Sequence, residues 1–467
     1  MPLPSSVAPG RQNSGERTVL GHPIGLGVLF GTEMWERFSY YGMRALLVLY
    51  LVNHLLVPGR AETVVGWATM KGVLEAVLGP LSTQALASNV YGLYTGLAYL
   101  APLVGGWLAD RLVGPRRMVA LGAGLMAVGH FMMAFETLLL PALLVLIVGT
   151  GAFKPNIATQ VGGLYAEGDP RRDRAYSIFY VGINVGAFLA PLVCGSLGEE
   201  VGWHWGFGAA GVGMLLGLGL YLWGTRHLPP DIVRNRPAGG ETTRSRLARE
   251  DRRAMLALVL LCLPVTLFWA TYEQQGNTLA LWIDRYTDRT VSLLGFSAEI
   301  PVTWFQAVNP LLIFVLTPLL VEFWARQSRR GREPSTLSKM ALGCLGMALA
   351  NLIMVAAALS GEHTSWLWLI GYFLVLTLGE LYVSPIGLSL VSKVAPATHV
   401  SLMMGVWFCT SFAGNLLAGM LGGLWSRMDK PAFFLLMAGI AATAAVVIAA
   451  FRGPLHGLLD GRRAGAA

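Results

Sequence analysis

The chain has 467 residues, of which 54% are hydrophobic and only 13% are charged, and its formal net charge is +8. Soluble domains carry about a quarter charged residues, so this composition excludes a protein whose whole surface faces water. The mean hydropathy of +0.57 indicates that lipid is the solvent for most of the chain.

The first twenty residues are polar and contain no apolar stretch of the kind found in a secretory signal peptide. We therefore expect no cleavable signal, and the first apolar segment should direct insertion into the membrane. The four cysteines lie in apolar stretches without CxxC spacing, which predicts buried thiols with no disulfide and no metal site. They are Cys194, Cys262, Cys344 and Cys409.

Twelve segments are long and apolar enough to cross a bilayer, for which a helix needs about 20 residues. They are too long for the strands of a membrane barrel and lack the alternation that such strands show. The sequence therefore predicts an all-α membrane protein with 12 transmembrane helices. The predicted spans are 24–52, 85–108, 117–136, 138–161, 175–198, 206–226, 254–283, 302–325, 338–360, 365–391, 400–425 and 431–451.

Two polar segments interrupt this series of spans. Residues 56–84 follow the first span, and their charges predict an amphipathic helical insert on the outer surface, with a thirteenth span as the alternative. Residues 226–253 are strongly charged and form the predicted cytoplasmic linker. We therefore predict an N-terminal six-helix bundle over 1–225 and a C-terminal six-helix bundle over 254–467.

Lysine and arginine are concentrated on one side of the predicted topology. With the N-terminus in the cytoplasm, 25 of the 34 basic residues fall in cytoplasmic segments, six fall outside and three fall within spans. Positively charged loops stay in the cytoplasm, so both termini are predicted to be cytoplasmic. This distribution also accounts for the net positive charge without a nucleic acid partner.

A short motif follows the second predicted span. It reads Gly-Trp-Leu-Ala-Asp-Arg from Gly106 to Arg111, followed by Gly-Pro-Arg-Arg from Gly114 to Arg117. It resembles the loop motif of the major facilitator superfamily, and Asp110 lies beside arginines at the cytoplasmic ends of helices. The resemblance implies the major facilitator fold, in which two six-helix bundles are related by a pseudo-two-fold axis.

Seven charged side chains lie away from the ends of the predicted spans, and a charge at mid-bilayer costs roughly 2.5–3.5 kcal/mol. Helix packing does not require them, so they indicate a polar pathway through the bundle. In the first span, a helix from Glu33 to Arg44 carries carboxylates, guanidiniums and phenols on one face. The seven residues are Glu33, Glu36, Arg37, Arg44, Lys154, Glu273 and Glu380.

The first span also carries a longer signature. From Glu33 to Gly42 it matches the pattern ExxERFxYYG at every fixed position, and this pattern resembles the signature of the proton-coupled oligopeptide transporter (POT) family, a branch of the major facilitators. Four further stretches resemble motifs of the same family. They are Gly151-Ala-Phe-Lys-Pro-Asn156, Phe268-Trp269 with Glu273-Gln274, Trp304-Phe305-Gln306 with Asn309-Pro310, and Gly379-Glu380-Leu381 with Ser384-Pro385.

The resemblance implies a central cavity between the two bundles that binds dipeptides and tripeptides. In the family, the residues that match Arg37 and Lys154 hold the peptide carboxylate. The glutamate that matches Glu380 meets the peptide ammonium, with help from amides that match Asn184 and Asn309. The other expected lining residues are Tyr40, Tyr41, Tyr99, Trp269, Ser384, Trp407 and Ser411.

Proton coupling is expected to depend on carboxylates. We expect Glu33 and Glu36 to hold Arg37 when they are ionised, so that their protonation releases Arg37 for the peptide carboxylate. Mammalian family members carry a histidine in the second span where this chain has Gly92. His130, in the third span, does not match that position and is expected to be a structural residue.

Two gating pairs follow from the resemblance. The family pairs the residues that match Arg44 and Glu273 when the outer side is closed. Lys154 and Glu380 resemble the pair that helps to close the inner side. Peptide and protons would then bias which pair is intact, as alternating access requires.

The sequence therefore predicts a proton-coupled symporter that imports dipeptides and tripeptides by alternating access, and not an enzyme. We expect a monomer in a bacterial cytoplasmic membrane, with protons as the coupling ion and no cofactor. Two alternatives stay open: a related facilitator for another small solute, such as nitrate, an amino acid or a drug-like anion, and a non-transporting nutrient sensor. An ATP-driven pump is not favoured, since the chain lacks the phosphate-binding loop motif of ATPases.

Overall fold

The computed structural model describes residues 18–166, 168–231, 249–293, 296–396 and 399–451. Over these residues the chain forms 14 α-helices, and all but the second and ninth contain 18 residues or more. These 12 long helices match the predicted spans in number and order. In chain order the helices are α1 (Ile24–Tyr50), α2 (Trp67–Leu78), α3 (Thr83–Leu108), α4 (Pro115–Met132), α5 (Leu139–Gly163), α6 (Arg171–Ala190), α7 (Trp203–Gly224), α8 (Arg249–Tyr272), α9 (Thr278–Tyr286), α10 (Phe305–Arg329), α11 (Thr336–Ser360), α12 (Leu367–Val394), α13 (Val400–Gly422) and α14 (Lys430–Ala450).

Nine helical segments of the described chain are long and apolar enough to cross a membrane, judged by length and composition. The other three long helices, α1, α3 and α4, carry more polar side chains. In α1 these include Glu33, Glu36, Arg37 and Arg44, all of which are buried in the bundle. A membrane helix tolerates such residues when they face the protein interior and not lipid.

The seventh predicted span, 254–283, is not one continuous α-helix. α8 ends at Tyr272, a 3₁₀ turn follows over Glu273–Gly276, and Asn277 adopts φ −115° and ψ −99° before α9 begins. Ser88 Oγ donates to Asn277 Oδ1 at 2.8 Å, so a neighbouring helix supports the break. The apolar length of the segment gives no sign of this break, because polar side chains from elsewhere in the chain stabilise it.

π-Helical turns extend the fifth span beyond its predicted end. α6 continues in wider turns over Pro191–Gly195 and Leu197–Val201, and the chain then reverses at Gly202, whose φ is 151°. Pro191 has no N–H to donate to the preceding turn, which favours the wider geometry. The extension carries Glu199 towards the second half of the chain.

The segment between α1 and α3 contains the short helix α2. With 12 residues α2 is about 18 Å long, which is too short to cross the hydrocarbon core. Trp67 is its buried residue, and Lys71 and Val73 are exposed. This geometry fits a surface insert and does not fit the alternative of a thirteenth span.

The long helices form two groups that follow the two halves of the sequence. In the first, α1 packs against α6 and α7, and α5 packs between α3 and α4. In the second, α11 packs between α12 and α14, and α8 packs against α13. The groups meet where α3 packs on α13 and α6 packs on α10. Gly92 permits the first contact, since a Cβ there would lie 2.6 Å from the Asn415 carbonyl oxygen.

In the described residues, β-structure is confined to three two-stranded ribbons, one before α1 and two in the connections between helices. Two ribbons are antiparallel and one is parallel. The pairs are β1 (Thr18–Val19) with β2 (His22–Pro23), β3 (Thr287–Asp288) with β6 (Thr364–Ser365) in parallel, and β4 (Thr290–Leu293) with β5 (Phe296–Glu299), where Thr290 lies opposite Glu299.

Candidate functional site

Three charged residues of α1 form a buried cluster, named here the α1 ion cluster: Glu33, Glu36 and Arg37. Arg37 Nε lies 3.1 Å from Glu33 Oε1, one helical turn away, and it also pairs with Glu36 Oε2. The residues are 3%, 0% and 5% exposed in chain order. The structure thus brings together the three residues predicted to couple protons.

The α1 ion cluster retains unused hydrogen-bonding capacity. Glu33 Oε2, Glu36 Oε1 and Arg37 Nη2 are buried and have no hydrogen-bond partner. An unpaired buried polar atom costs about 1–3 kcal/mol, so folding alone does not favour this arrangement. The planar guanidinium of Arg37 is suited to binding a carboxylate through its free edge.

Lys154 of α5 adds a second cation to this part of the bundle. Its ammonium lies 4.2 Å from the ring centre of Tyr99 on α3. It also interacts electrostatically with all three members of the α1 ion cluster. Within the described part of the chain, no carboxylate forms an ion pair with it. Lys154 and Arg37 together form a cationic pole, whose charge Glu33 and Glu36 balance while they are ionised.

Glu380 of α12 is the centre of a negative pole. Asn309 of α10 donates to Glu380 Oε2 at 3.0 Å and also to Thr377 Oγ1 at 3.0 Å. Tyr272 OH donates to Oδ1 of the same asparagine at 3.4 Å. Side chains from α8, α10 and α12 therefore hold the carboxylate, and no cation of the described residues pairs with it. The carboxylate can receive an ammonium group.

Two tyrosines of α1 lie beside these poles. The rings of Tyr40 and Tyr41 meet edge to face at 5.2 Å, and Arg37 lies 5.4 Å from the ring centre of Tyr40. Tyr41 is half-buried and within electrostatic range of both Arg37 and Glu380, whereas Tyr40 is 4% exposed. Tyr41 is therefore influenced by charges of both poles, and Tyr40 packs beside Arg37.

The two predicted tryptophans differ in their surroundings. Trp269 is half-buried, meets Tyr272 edge to face at 5.3 Å, and has an indole N–H without a partner. Trp407 is 4% exposed, and its ring packs so closely on Gly387 of α12 that a Cβ there would have no space. In this conformation Trp407 joins α13 to α12 and presents little surface to a ligand.

The remaining predicted residues, Asn184, Ser384 and Ser411, make local contacts. Asn184 Nδ2 donates to the Tyr180 carbonyl oxygen at 3.0 Å within α6, and no hydrogen bond joins it to Glu380, which the structure also describes. The Tyr180 phenol is within electrostatic range of Glu380. Ser384 is half-buried one turn beyond Glu380, and Ser411 is buried.

Arg44 and Glu273 form an ion pair between α1 and the break after α8. Arg44 Nε also donates to the Tyr91 hydroxyl of α3 at 2.7 Å. Lys154 and Glu380, both described, form no ion pair with each other. Of the two predicted gating pairs, the structure therefore joins the first and separates the second.

Further contacts between the two halves are concentrated at the end of the bundle where Arg44 meets Glu273. Hydrogen bonds join α1, α3 and the π-helical turns that follow α1 and α6 on one side to α9, α10, α13, the break after α8 and the turn before α10 on the other. The pairs include Ser88 with Asn277, Gln84 with the Gly422 carbonyl, Gln306 with the Ala45 carbonyl, Asn53 with Asp284, and Glu199 with Val302 and Thr303. The molecule is thus closed at this end.

Sequence reasoning missed three residues that shape the site: Tyr91, Tyr272 and Thr377. Tyr91 hydrogen-bonds Arg44, and the other two belong to the network around Asn309 and Glu380. Thr377 stands three residues before Glu380, so helical spacing gave a signal for it. Neither tyrosine is marked by spacing, because its partner comes from a distant segment.

An apolar groove of about 620 Å³ lies away from the charged residues. It runs between α1, α6 and α7, and its lining includes Trp35, Phe38, Trp205 and Val212. No ionisable side chain lines it. A groove of this chemistry cannot recognise a zwitterion, so we do not assign it to the functional site.

Comparison with protein families and curated proteins gives a consistent result. The family model described as the POT family matches residues 116–239 and 238–436. A di-/tripeptide transporter of Lactococcus lactis subsp. cremoris is 32% identical, covering 96% of this chain and 98% of the relative. The peptide transporter YePEPT of Yersinia enterocolitica subsp. palearctica is 35% identical, covering 88% of this chain and 89% of the relative.

Solved structures agree with these matches. A mutant of a peptide transporter POT in complex with alafosfalin has a TM-score of 0.82 at 31% identity, covering 95% of this chain and 97% of that chain. A POT family transporter in complex with 5-aminolevulinic acid has a TM-score of 0.80 at 28% identity, covering 93% and 97%. These likenesses confirm the predicted fold class.

Proposed function

This chain belongs to the proton-coupled oligopeptide transporter family, and we propose that it imports dipeptides and tripeptides together with protons. It is a multi-pass membrane protein and not an enzyme. The observation that supports the substrate most directly is the separation of two poles: Arg37 and Lys154 offer cations, while Glu380 offers a hydrogen-bonded carboxylate. A short zwitterionic peptide carries the complementary charges at its two ends.

We propose roles for the predicted site residues on this basis. Arg37 and Lys154 hold the peptide carboxylate, while Glu380 and Asn309 receive the ammonium. Tyr41, which is influenced by charges of both poles, packs against the peptide backbone. The other proposed lining residues are Tyr40, Tyr99, Asn184, Trp269, Ser384, Trp407 and Ser411, of which Trp407 requires a change of conformation to reach the peptide.

The α1 ion cluster is the proposed site of proton coupling. Glu33 and Glu36 compete with the peptide for Arg37, since both carboxylates contact the same guanidinium. Protonation removes their negative charge and releases Arg37 for the peptide carboxylate. Proton binding and peptide binding are therefore favourably coupled, and each increases the affinity for the other.

Alternating access is the proposed transport cycle, with Arg44–Glu273 as the outer gating pair and Lys154–Glu380 as the inner one. The first pair is formed and the second is apart, which corresponds to a state closed to the outside. We propose that the monomer is the functional unit. We further propose that the chain resides in a bacterial cytoplasmic membrane with both termini inside, as its distribution of basic residues favours.

Uptake of radiolabelled dialanine into proteoliposomes under an inward proton gradient tests the proposal. Lys154→Ala should reduce uptake by about tenfold or more, because an ionic hydrogen bond to the peptide is lost. Lys71→Ala removes an exposed lysine of α2 and is the matched control. Wild-type uptake that is absent, or that persists unchanged after an uncoupler, would contradict the proposed function.

A second substrate class has one supporting observation. A solved relative contains 5-aminolevulinic acid, which also carries an ammonium group and a carboxylate. The same two poles would suit such an amino acid. Competition of unlabelled 5-aminolevulinic acid and nitrate against dialanine distinguishes a peptide-selective site from one that also binds these solutes. Neither solute should displace dialanine from a peptide-selective site.

A further inference from the structure

A carboxylate from the first half of the chain caps a helix start in the second half. Glu199 Oε2 accepts from the Val302 N–H at 2.8 Å. Its Oε1 accepts from the Thr303 N–H at 2.8 Å and from Thr303 Oγ1 at 2.6 Å. These N–H groups belong to the 3₁₀ turn Val302–Trp304, which leads directly into α10. The first N–H groups of a helix lack partners within it, and its positive end favours an anion.

Adjacent residues reinforce this contact. Trp304 Nε1 donates to Ser196 Oγ at 2.8 Å. Gly195 lies against the Thr303 side chain so closely that a Cβ would have no space. We name this set the α6–α10 tie: Gly195, Ser196 and Glu199 on one side, and Val302, Thr303 and Trp304 on the other.

The α6–α10 tie lies at the same end of the molecule as the Arg44–Glu273 pair. Gly198, next to Glu199, packs on Leu46, where a Cβ would lie 2.5 Å from Leu46 Cδ2. Leu46 follows Arg44 by two residues on α1. Gln306 of α10 donates to the Ala45 carbonyl oxygen at 3.3 Å, so α10 also reaches α1 at this level.

We propose that Glu199 is a second outer-gate residue, whose capping of α10 holds the outer ends of the two halves together. The inference rests on the proposed alternating-access function, because the outer ends must separate once in every transport cycle. Hydrogen bonds of 2.6–2.8 Å do not survive such a separation. Glu199 is thus a positioning residue that governs the gate without contacting the peptide or the proton-coupling cluster.

Glu199→Gln tests the role of the carboxylate at almost constant size. The glutamine amide has one acceptor oxygen, and its NH₂ group cannot accept from the Val302 N–H. Glu200→Gln is the matched control, since Glu200 is the adjacent carboxylate and is exposed. Thr303→Val is a second test variant, because it removes the shortest hydrogen bond of the tie and leaves Glu199 in place.

The distance between the outer ends is measured by pulsed electron paramagnetic resonance with spin labels at Val201→Cys and Ala298→Cys. Both positions are exposed, and the four native cysteines are replaced by alanine for this purpose. Glu199→Gln should increase the population at the longer separation by about tenfold relative to Glu200→Gln, since bonds to a charged acceptor are lost. Thr303→Val should shift the population in the same direction by a smaller factor.

Distance distributions for Glu199→Gln and Thr303→Val that match the wild type would overturn the proposal. The two test variants are independent, so misfolding of one leaves the other informative. The distances between the spin labels are measured in the absence of peptide and of a proton gradient. A wild-type chain that fails to take up dialanine would therefore count against the proposed function alone, while the distances still decide the role of Glu199.

Discussion

The guanidinium of Arg37 has carboxylates on one side and a free edge on the other, and in the proposed mechanism this asymmetry connects proton binding to peptide binding. Sequence spacing identified the contact with Glu33, because residues four apart share a helix face. It could not reveal that Tyr91 would bind Arg44 or that Tyr272 would reach Asn309. Those contacts depend on how distant helices pack, which a pattern within one helix does not contain.

Neutralisation of a single carboxylate in the α1 ion cluster should impair proton-driven uptake of peptide and spare the exchange of peptide across the membrane. In Glu33→Gln or Glu36→Gln, proton-driven uptake of dialanine should fall by about 5- to 150-fold, the usual range of coupling between two bound ligands. Counterflow exchange should continue, because it needs no net proton movement and Arg37 then has one competing carboxylate fewer. Both rates are measured in the same proteoliposomes.

The control for these two variants is Glu62→Gln, which neutralises an exposed glutamate outside the long helices. It should leave both uptake and counterflow at wild-type rates. Loss of counterflow together with uptake in either cluster variant would show that the carboxylates serve binding or folding and not coupling.

At the level of elements, the contact of α3 with α13 explains a departure from the family pattern. Gly92 stands where mammalian members carry a histidine, and a Cβ at this position would lie 2.6 Å from the Asn415 carbonyl oxygen and 2.8 Å from Gly419 Cα. Both are backbone atoms that cannot move without shifting α13. The close helix crossing leaves no room for an imidazole at this position, which agrees with the proposed coupling of protons through carboxylates.

Gly92→Ala should therefore destabilise the protein by about 1–3 kcal/mol, as overpacking of a tight helix contact does. Thermal unfolding of the detergent-solubilised protein measures the change. Gly124→Ala on α4 is the matched control, since a Cβ there meets nothing within 4 Å. Equal melting temperatures for the two variants would contradict the inferred close contact.

Helix number and order were predictable from apolar length, but the irregular parts of the helices were not. The break at Asn277 depends on Ser88 of α3, and the π-helical turns after Pro191 end in a contact between Glu199 and the start of α10. In both cases the partner is more than 100 residues away. Local propensity therefore specifies the spans, and packing between the halves determines where they deviate from regular helices.

For the whole molecule, two groups of long helices and a biased distribution of basic residues predict one topology. The segments around Glu62 and Glu362 are predicted to lie outside, and the segment around Arg330 is predicted to lie in the cytoplasm. All three residues are exposed and suitable for labelling.

Single cysteines at these positions, in a background with the native cysteines replaced by alanine, test this orientation. A membrane-impermeant maleimide added to intact cells should label Glu62→Cys and Glu362→Cys, whereas Arg330→Cys should react only after permeabilisation. The reverse pattern would invert the assignment of both termini.

The concentration of interhalf contacts at one end has a kinetic consequence. In the proposed cycle, the unloaded protein has to break the Arg44–Glu273 pair and the α6–α10 tie before its outer side can open and bind peptide again. We therefore expect the return of the unloaded protein to the outward-open state to be the slow step of each turnover. This order of events favours accumulation of peptide in the cell, because the unloaded protein then seldom adopts the outward-open state.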